Sequence, residues 1–116
     1  MTKPVGAYRP IVRAGDWLVA SGQVGIFEGE LVSGGFHGQL NQALDNLEAL
    51  LQGEGATLAD VVKTTVFLTD MALFAEMNAV YAEVLGDARP ARSTVAVRGL
   101  PRGAMVEIEL VAARPR

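Results

Sequence analysis

Cysteine is absent from the chain, and histidine occurs once, as His37. The first absence excludes disulfides, thiolate nucleophiles and cysteine-held metal or iron–sulfur centres. The second leaves a histidine metal cage or a Ser-His-Asp triad without support in one copy. His37 also lies beside glycines near a helix start, where capping or exposure is commoner than catalysis. Basic clusters are missing too: ten Lys and Arg face thirteen Asp and Glu, for a net charge of −3. That is not the electrostatic footprint of a nucleic-acid binder. No hydrophobic run approaches a membrane span, and the first ten residues carry no apolar leader core, so the expectation is a cytoplasmic protein. Neither GxGxxG nor GKS/GKT occurs, which leaves a nucleotide site unsupported.

What is present suffices for one folded unit. The chain has 116 residues, half of them hydrophobic and a fifth charged. This suits a single domain spanning residues 1–116, with a core and little disorder. A mean hydropathy of +0.27 is apolar for so small a domain and points towards an oligomer.

Residues 11–13 and 17–24 read as strands around the Gly15 turn, and 27–31 as a short hairpin through Gly29. From 36 to 52 the apolar positions Leu40, Ala43, Leu44, Leu47, Leu50 and Leu51 have helical spacing, stopped by Gly53 and Gly55. The β-branched run 61–68 predicts a strand. Asp70 is a good N-cap for a second helix over 71–85. Strands follow at 93–97 and 104–112. The order ββ(β)αβαββ predicts a two-layer α+β domain, with two helices on one face of a mixed sheet. In the last strand Val106, Ile108 and Leu110 point one way, and Glu107 and Glu109 the other. That second face suits either solvent or a partner subunit with a polar pocket.

Several residues could carry chemistry. Arg92 opens an apolar strand, where it either points into water or waits for a carboxylate or phosphate. By residue type alone, the surface charge is the commoner outcome. Glu107 and Glu109 share a face, and paired carboxylates can raise each other's pKa and serve acid–base chemistry. Solvation of both is again commoner. Asn78 lies on the helical stripe of Phe74, Tyr81 and Leu85, usually as a structural brace. Ser21-Gly22-Gln23 permits close backbone approach by a ligand or another chain, or is an ordinary bulge. Tyr8 could cover a pocket or anchor the terminus.

In order along the chain, these segments resemble the Rid family (reactive intermediate deaminases, also called endoribonuclease L-PSP proteins). The resemblance runs through Gly6-Ala7-Tyr8, Ser21-Gly22-Gln23, the helical stretch 42–47, the stretch 62–71, Met77-Asn78-Ala79-Val80-Tyr81, Pro90-Ala91-Arg92-Ser93 and Val106-Glu107-Ile108-Glu109. It implies a chorismate-mutase-like homotrimer with clefts between subunits, and hydrolysis of enamines and imines such as 2-aminoacrylate and 2-iminobutanoate to 2-keto acids and ammonia, with no metal or organic cofactor expected. The family's carboxylate-binding arginine falls on Arg92, and its water-activating acid on Glu107. Tyr8, Ser21, Gly22 and Asn78 match pocket positions. Thr94 stands where relatives often have cysteine, leaving backbone contacts there but no thiol chemistry. Ala7 replaces a common proline, and Arg9 and Arg13 add positive charge near the implied pocket mouth. A non-catalytic trimer that binds small carboxylates is the alternative. A ribonuclease, following the older family name, fits the charge poorly.

Overall fold

The computed structural model describes residues 6–115. The strands are β1 (Ile11–Ala14), β2 (Trp17–Val24), β3 (Ile26–Phe27), β4 (Glu30–Leu31), β5 (Val61–Leu68), β6 (Ala91–Ala96) and β7 (Val106–Ala113). The helices are α1 (Gly35–Gly53) and α2 (Phe74–Leu85). Five strands form one sheet in the order β1-β2-β7-β5-β6, while β3 and β4 pair separately. Only the β5–β6 pair is parallel, because α2 carries the chain back across the sheet between them. The expected two-layer α+β domain is what the chain forms.

Alternation decides which face is buried. Leu18 and Ala20 of β2, Thr64, Val66 and Leu68 of β5, and Val106, Ile108, Leu110 and Ala112 of β7 all lie buried. They meet Leu40, Leu44, Leu47 and Leu51 from α1 and Met77, Val80, Tyr81 and Leu85 from α2 in one core. The opposite face has no helix. Val12, Trp17 and Val19 stand on it with 41 %, 51 % and 45 % of their surface exposed, an apolar patch at the β1–β2 side of the sheet.

Three expectations shift. Asp70 does cap, its carboxylate accepting the Ala72 N–H at 2.9 Å, but it caps a 3-10 turn over Met71–Leu73. The α-helix begins only at Phe74. The strand expected at 93–97 starts at Ala91, where parallel pairing with Lys63 begins. The final strand starts at Val106 because Pro101–Gly103 closes a 3-10 turn just before it.

Polar residues of α1 tie the helix to the sheet's irregular edge. The Asn46 amide donates to the carbonyls of Val24 and Ile26, at 3.2 and 3.0 Å, and its oxygen accepts from Gln42 at 2.9 Å. Gln39 accepts the Met105 N–H at 2.8 Å. A Cβ on Gly25 would lie 2.5 Å from both Cα and the carbonyl oxygen of Gln39, so only glycine permits this approach. Asn46→Ala takes the amide's donors away from two carbonyls at once. Denaturant unfolding is expected to show a loss of about 1–3 kcal/mol.

Candidate active site

Glu107 sits on β7, on the helix-free face, opposite Val24 of β2 and Phe67 of β5. The β2–β7 register slips between Ala20 and Gln23, and that irregularity brings Gly22 against the carboxyl group. A Cβ on Gly22 would stand 2.5 Å from Oε2 and 2.7 Å from Cδ of Glu107. Ser21 fixes the same stretch to the incoming chain, its N–H donating to Pro10 O at 2.8 Å and its hydroxyl to Arg9 O at 2.7 Å. Tyr8, just before this anchored segment, is exposed. Half-burial raises the Glu107 pKa above its ordinary value, and the neighbouring Glu109 charge adds to the rise. Its carboxylate accepts no hydrogen bond and forms no ion pair among the described residues.

Arg92 sits on β6, opposite Thr64 of β5. Thr64 is fully buried on the helix-covered face, so Arg92 points towards α2. Its Cζ lies 4.8 Å from the Tyr81 ring centroid and 5.6 Å from that of Phe74. Its one hydrogen-bond contact among the described residues is a weak one, from Nη1 to the Met77 sulfur at 3.9 Å. Thr94 lies two residues along the same face, opposite Val66. Its Oγ1 is buried and is the only such side-chain atom without a hydrogen-bond partner among the described residues. The side-chain amide of Asn78, half-buried on α2, makes no hydrogen bond to them either. The brace expected of that amide is therefore not made among the described residues.

The candidate residues thus fall into two half-sites. Ser21, Gly22 and Glu107 belong to the helix-free side; Asn78, Arg92 and Thr94 belong to the helix-covered side. The β5 strand runs between β7 and β6, so about 10 Å of lateral strand spacing separates the two, besides the sheet itself. One chain cannot present Arg92 and Glu107 to the same small molecule. Among the described residues, no group of three or more His, Cys, Asp and Glu is arranged to hold a metal. His37 is exposed.

Sequence reasoning placed Tyr81 and Phe74 on the Asn78 stripe without linking either to Arg92. Their spacing of seven residues, two helical turns, was the available signal. Gln39 and Asn46 were missed altogether. Polar residues interleaved with the leucine stripe of α1 are the feature that marks them.

The family model for endoribonuclease L-PSP matches residues 1–114. A RutC family protein of Pyrococcus horikoshii is 45 % identical over 112 residues, 95 % of this chain and 89 % of the relative. A 2-iminobutanoate/2-iminopropanoate deaminase of Dermatophagoides farinae is 37 % identical over 111 residues, 94 % of this chain and 87 % of the relative. Among solved structures, a Thermotoga maritima protein superposes with a TM-score of 0.93 at 44 % identity, covering 98 % of this chain and 91 % of its own. Matched along nearly its whole length in both sequence and fold, the chain belongs to the endoribonuclease L-PSP family, the Rid or RutC proteins.

Proposed function

We propose that this protein is an imine and enamine deaminase, acting as a homotrimer whose sites lie between copies. Arg92 of one copy and Glu107 of the next would complete each site. The observation that carries the reading is the pair of half-sites. Each holds a charged residue without an oppositely charged partner among the described residues, and each lacks what the other has. The apolar patch around Val12, Trp17 and Val19 supports a second copy on the helix-free face. The deaminase among the relatives supports the activity.

The substrate would be a 2-imino acid, or its enamine tautomer after protonation at carbon. Arg92 binds the carboxylate through its N–H groups and orients the imine carbon. With the imine nitrogen protonated, the Glu107 carboxylate takes a proton from a water as the water oxygen bonds to that carbon. The C=N π pair moves onto nitrogen, giving a carbinolamine. Glu107 hands that proton to the amino nitrogen and takes the hydroxyl proton as the C–N bond breaks. Ammonia and the 2-keto acid leave, and Glu107 then releases the proton to solvent. The chemistry asks for no metal or organic cofactor. Asn78, Thr94 and Tyr8 would line the cleft. A cytoplasmic location belongs to the same reading; among the described residues no helix is long and apolar enough to cross a membrane. Against a ribonuclease stand the net charge of −3 and the single histidine.

The direct test generates 2-aminoacrylate in place with a dehydratase and follows its disappearance. Wild-type protein is expected to accelerate the loss and to sediment as a trimer. Binding of 2-keto acids without acceleration would establish the carboxylate-binding alternative, and a monomer would remove the shared site. Gly22→Ala tests the Glu107 half separately. The three atoms nearest the added methyl, Oε2, Cδ and Cγ, all belong to the flexible Glu107 side chain, so folding is expected to survive. The displaced carboxylate is expected to lower turnover about 100-fold.

A further inference from the structure

The surroundings of Arg92 differ in kind from those of another well-placed arginine in the chain. Arg13 uses its N–H groups within the fold. It donates to the carbonyls of Arg114, Glu54 and Gly15, at 2.9, 3.2 and 3.4 Å, and lies 3.8 Å from the Glu54 carboxylate. Arg92 is held instead by rings, at 4.8 Å from Tyr81 and 5.6 Å from Phe74. Among the described residues its guanidinium donates only the weak contact from Nη1 to the Met77 sulfur at 3.9 Å. An aromatic face attracts a cation through its quadrupole and consumes none of the guanidinium's five in-plane donors. A carboxylate in the same place would compete with any incoming anion. Tyr81 is itself fixed. Its hydroxyl lies 2.7 Å from Thr64 Oγ1 in a buried contact, and Thr64 is the residue paired with Arg92 across the β5–β6 ladder. Strand, helix and guanidinium are thus linked through one ring.

We propose that Tyr81, anchored by Thr64, is a positioning residue that holds Arg92 by its ring so that the N–H groups remain free for a substrate carboxylate. The inference rests on the reading of Arg92 as the carboxylate clamp given above. It adds a specificity for carboxylates that contact the guanidinium by its donors, with stacking on its face denied on the Tyr81 side.

The test titrates 2-oxobutanoate, an unreactive keto acid, into the wild type, Arg92→Ala, Tyr81→Leu and Tyr81→Phe by calorimetry. In parallel, proton NMR reads the ring-current shift of the Arg92 side chain. Tyr81→Leu is expected to weaken binding about tenfold and to cut the shift to the part that the Phe74 ring supplies. Tyr81→Phe keeps the shift and returns affinity to within about threefold of wild type, the remainder reflecting the lost Thr64 contact. In the Arg92→Ala background, Tyr81→Leu has no further effect on binding. Unchanged affinity in folded Tyr81→Leu overturns the inference, as does an equal loss in the Arg92→Ala background. Wild-type and Arg92→Ala proteins that bind alike, or not at all, overturn the clamp reading and the inference with it. A persisting ring-current shift then shows that the stacking exists without that role. If Tyr81→Leu fails to fold, Thr64→Val replaces it: about threefold weaker binding is expected, and none overturns the proposal.

Discussion

Glu107→Gln is expected to lower turnover of a 2-imino acid by about 100- to 10,000-fold, the range typical of losing a general base, while the protein still folds. Glutamine keeps the shape of the side chain beside Gly22 but cannot take a proton from water. The electrostatics make the experiment more informative. Burial first, and the Glu109 charge second, raise the Glu107 pKa, so the folded protein favours the protonated form more than the unfolded chain does. Ionised Glu107 therefore costs stability at pH values above its raised pKa. That cost is relieved as pH falls through the raised value towards the ordinary one. Glu107→Gln removes the charge, so it is expected to melt higher than wild type at neutral pH, with the difference narrowing in acid. Turnover runs the other way: it needs the carboxylate and falls as pH drops through the raised pKa. The acid limb of the pH–rate profile is expected to be displaced upwards from the ordinary glutamate value, and Glu109→Gln should move it downwards. Full activity in Glu107→Gln would end the water-activation role.

Arg92→Ala is expected to lower kcat/KM for a carboxylate-bearing imine by about 100- to 1,000-fold, from the loss of two charge-assisted hydrogen bonds. Its more discriminating use is in mixtures. Neither Arg92→Ala nor Glu107→Gln homotrimers contain an intact site. If each site takes Arg92 from one copy and Glu107 from another, unfolding and refolding the two together restores both residues in about a quarter of the sites of random trimers. Activity should rise from near zero to a corresponding fraction of wild type. Refolded mixtures that stay inactive, while wild-type protein treated alike recovers, would remove the shared-site arrangement and leave the single-residue effects standing.

The fold was legible wherever one periodicity covered a whole element. Val106, Ile108 and Leu110 alternate with Glu107 and Glu109 in the sequence, and they divide between core and open face in the structure as that alternation requires. The leucine stripe of α1 was equally plain. Where the helix after Asp70 begins was harder, because the same cap serves a 3-10 turn as well as an α-helix. Arg92 and Glu107 were recognisable by type and by resemblance. That they occupy opposite faces of one sheet was not, since it depends on the β7-β5-β6 order and on the parallel register of β6. Neither leaves a mark in local sequence. The same is true of the rings over Arg92, which depend on where α2 crosses an edge strand. Short-range patterns reveal which way a side chain faces along its own element, and only the assembled sheet reveals whom it faces.

The open face also carries its own spectroscopic probe. Trp17 is the chain's single tryptophan, and the β1–β2 register points it out of the sheet beside Val12 and Val19, half in water. Anything that covers this face moves an indole from water into an apolar setting, so its emission shifts to the blue and aqueous quenchers lose access. Serial dilution of unlabelled wild-type protein then reads out self-association directly, as a red shift at the concentration where the copies part.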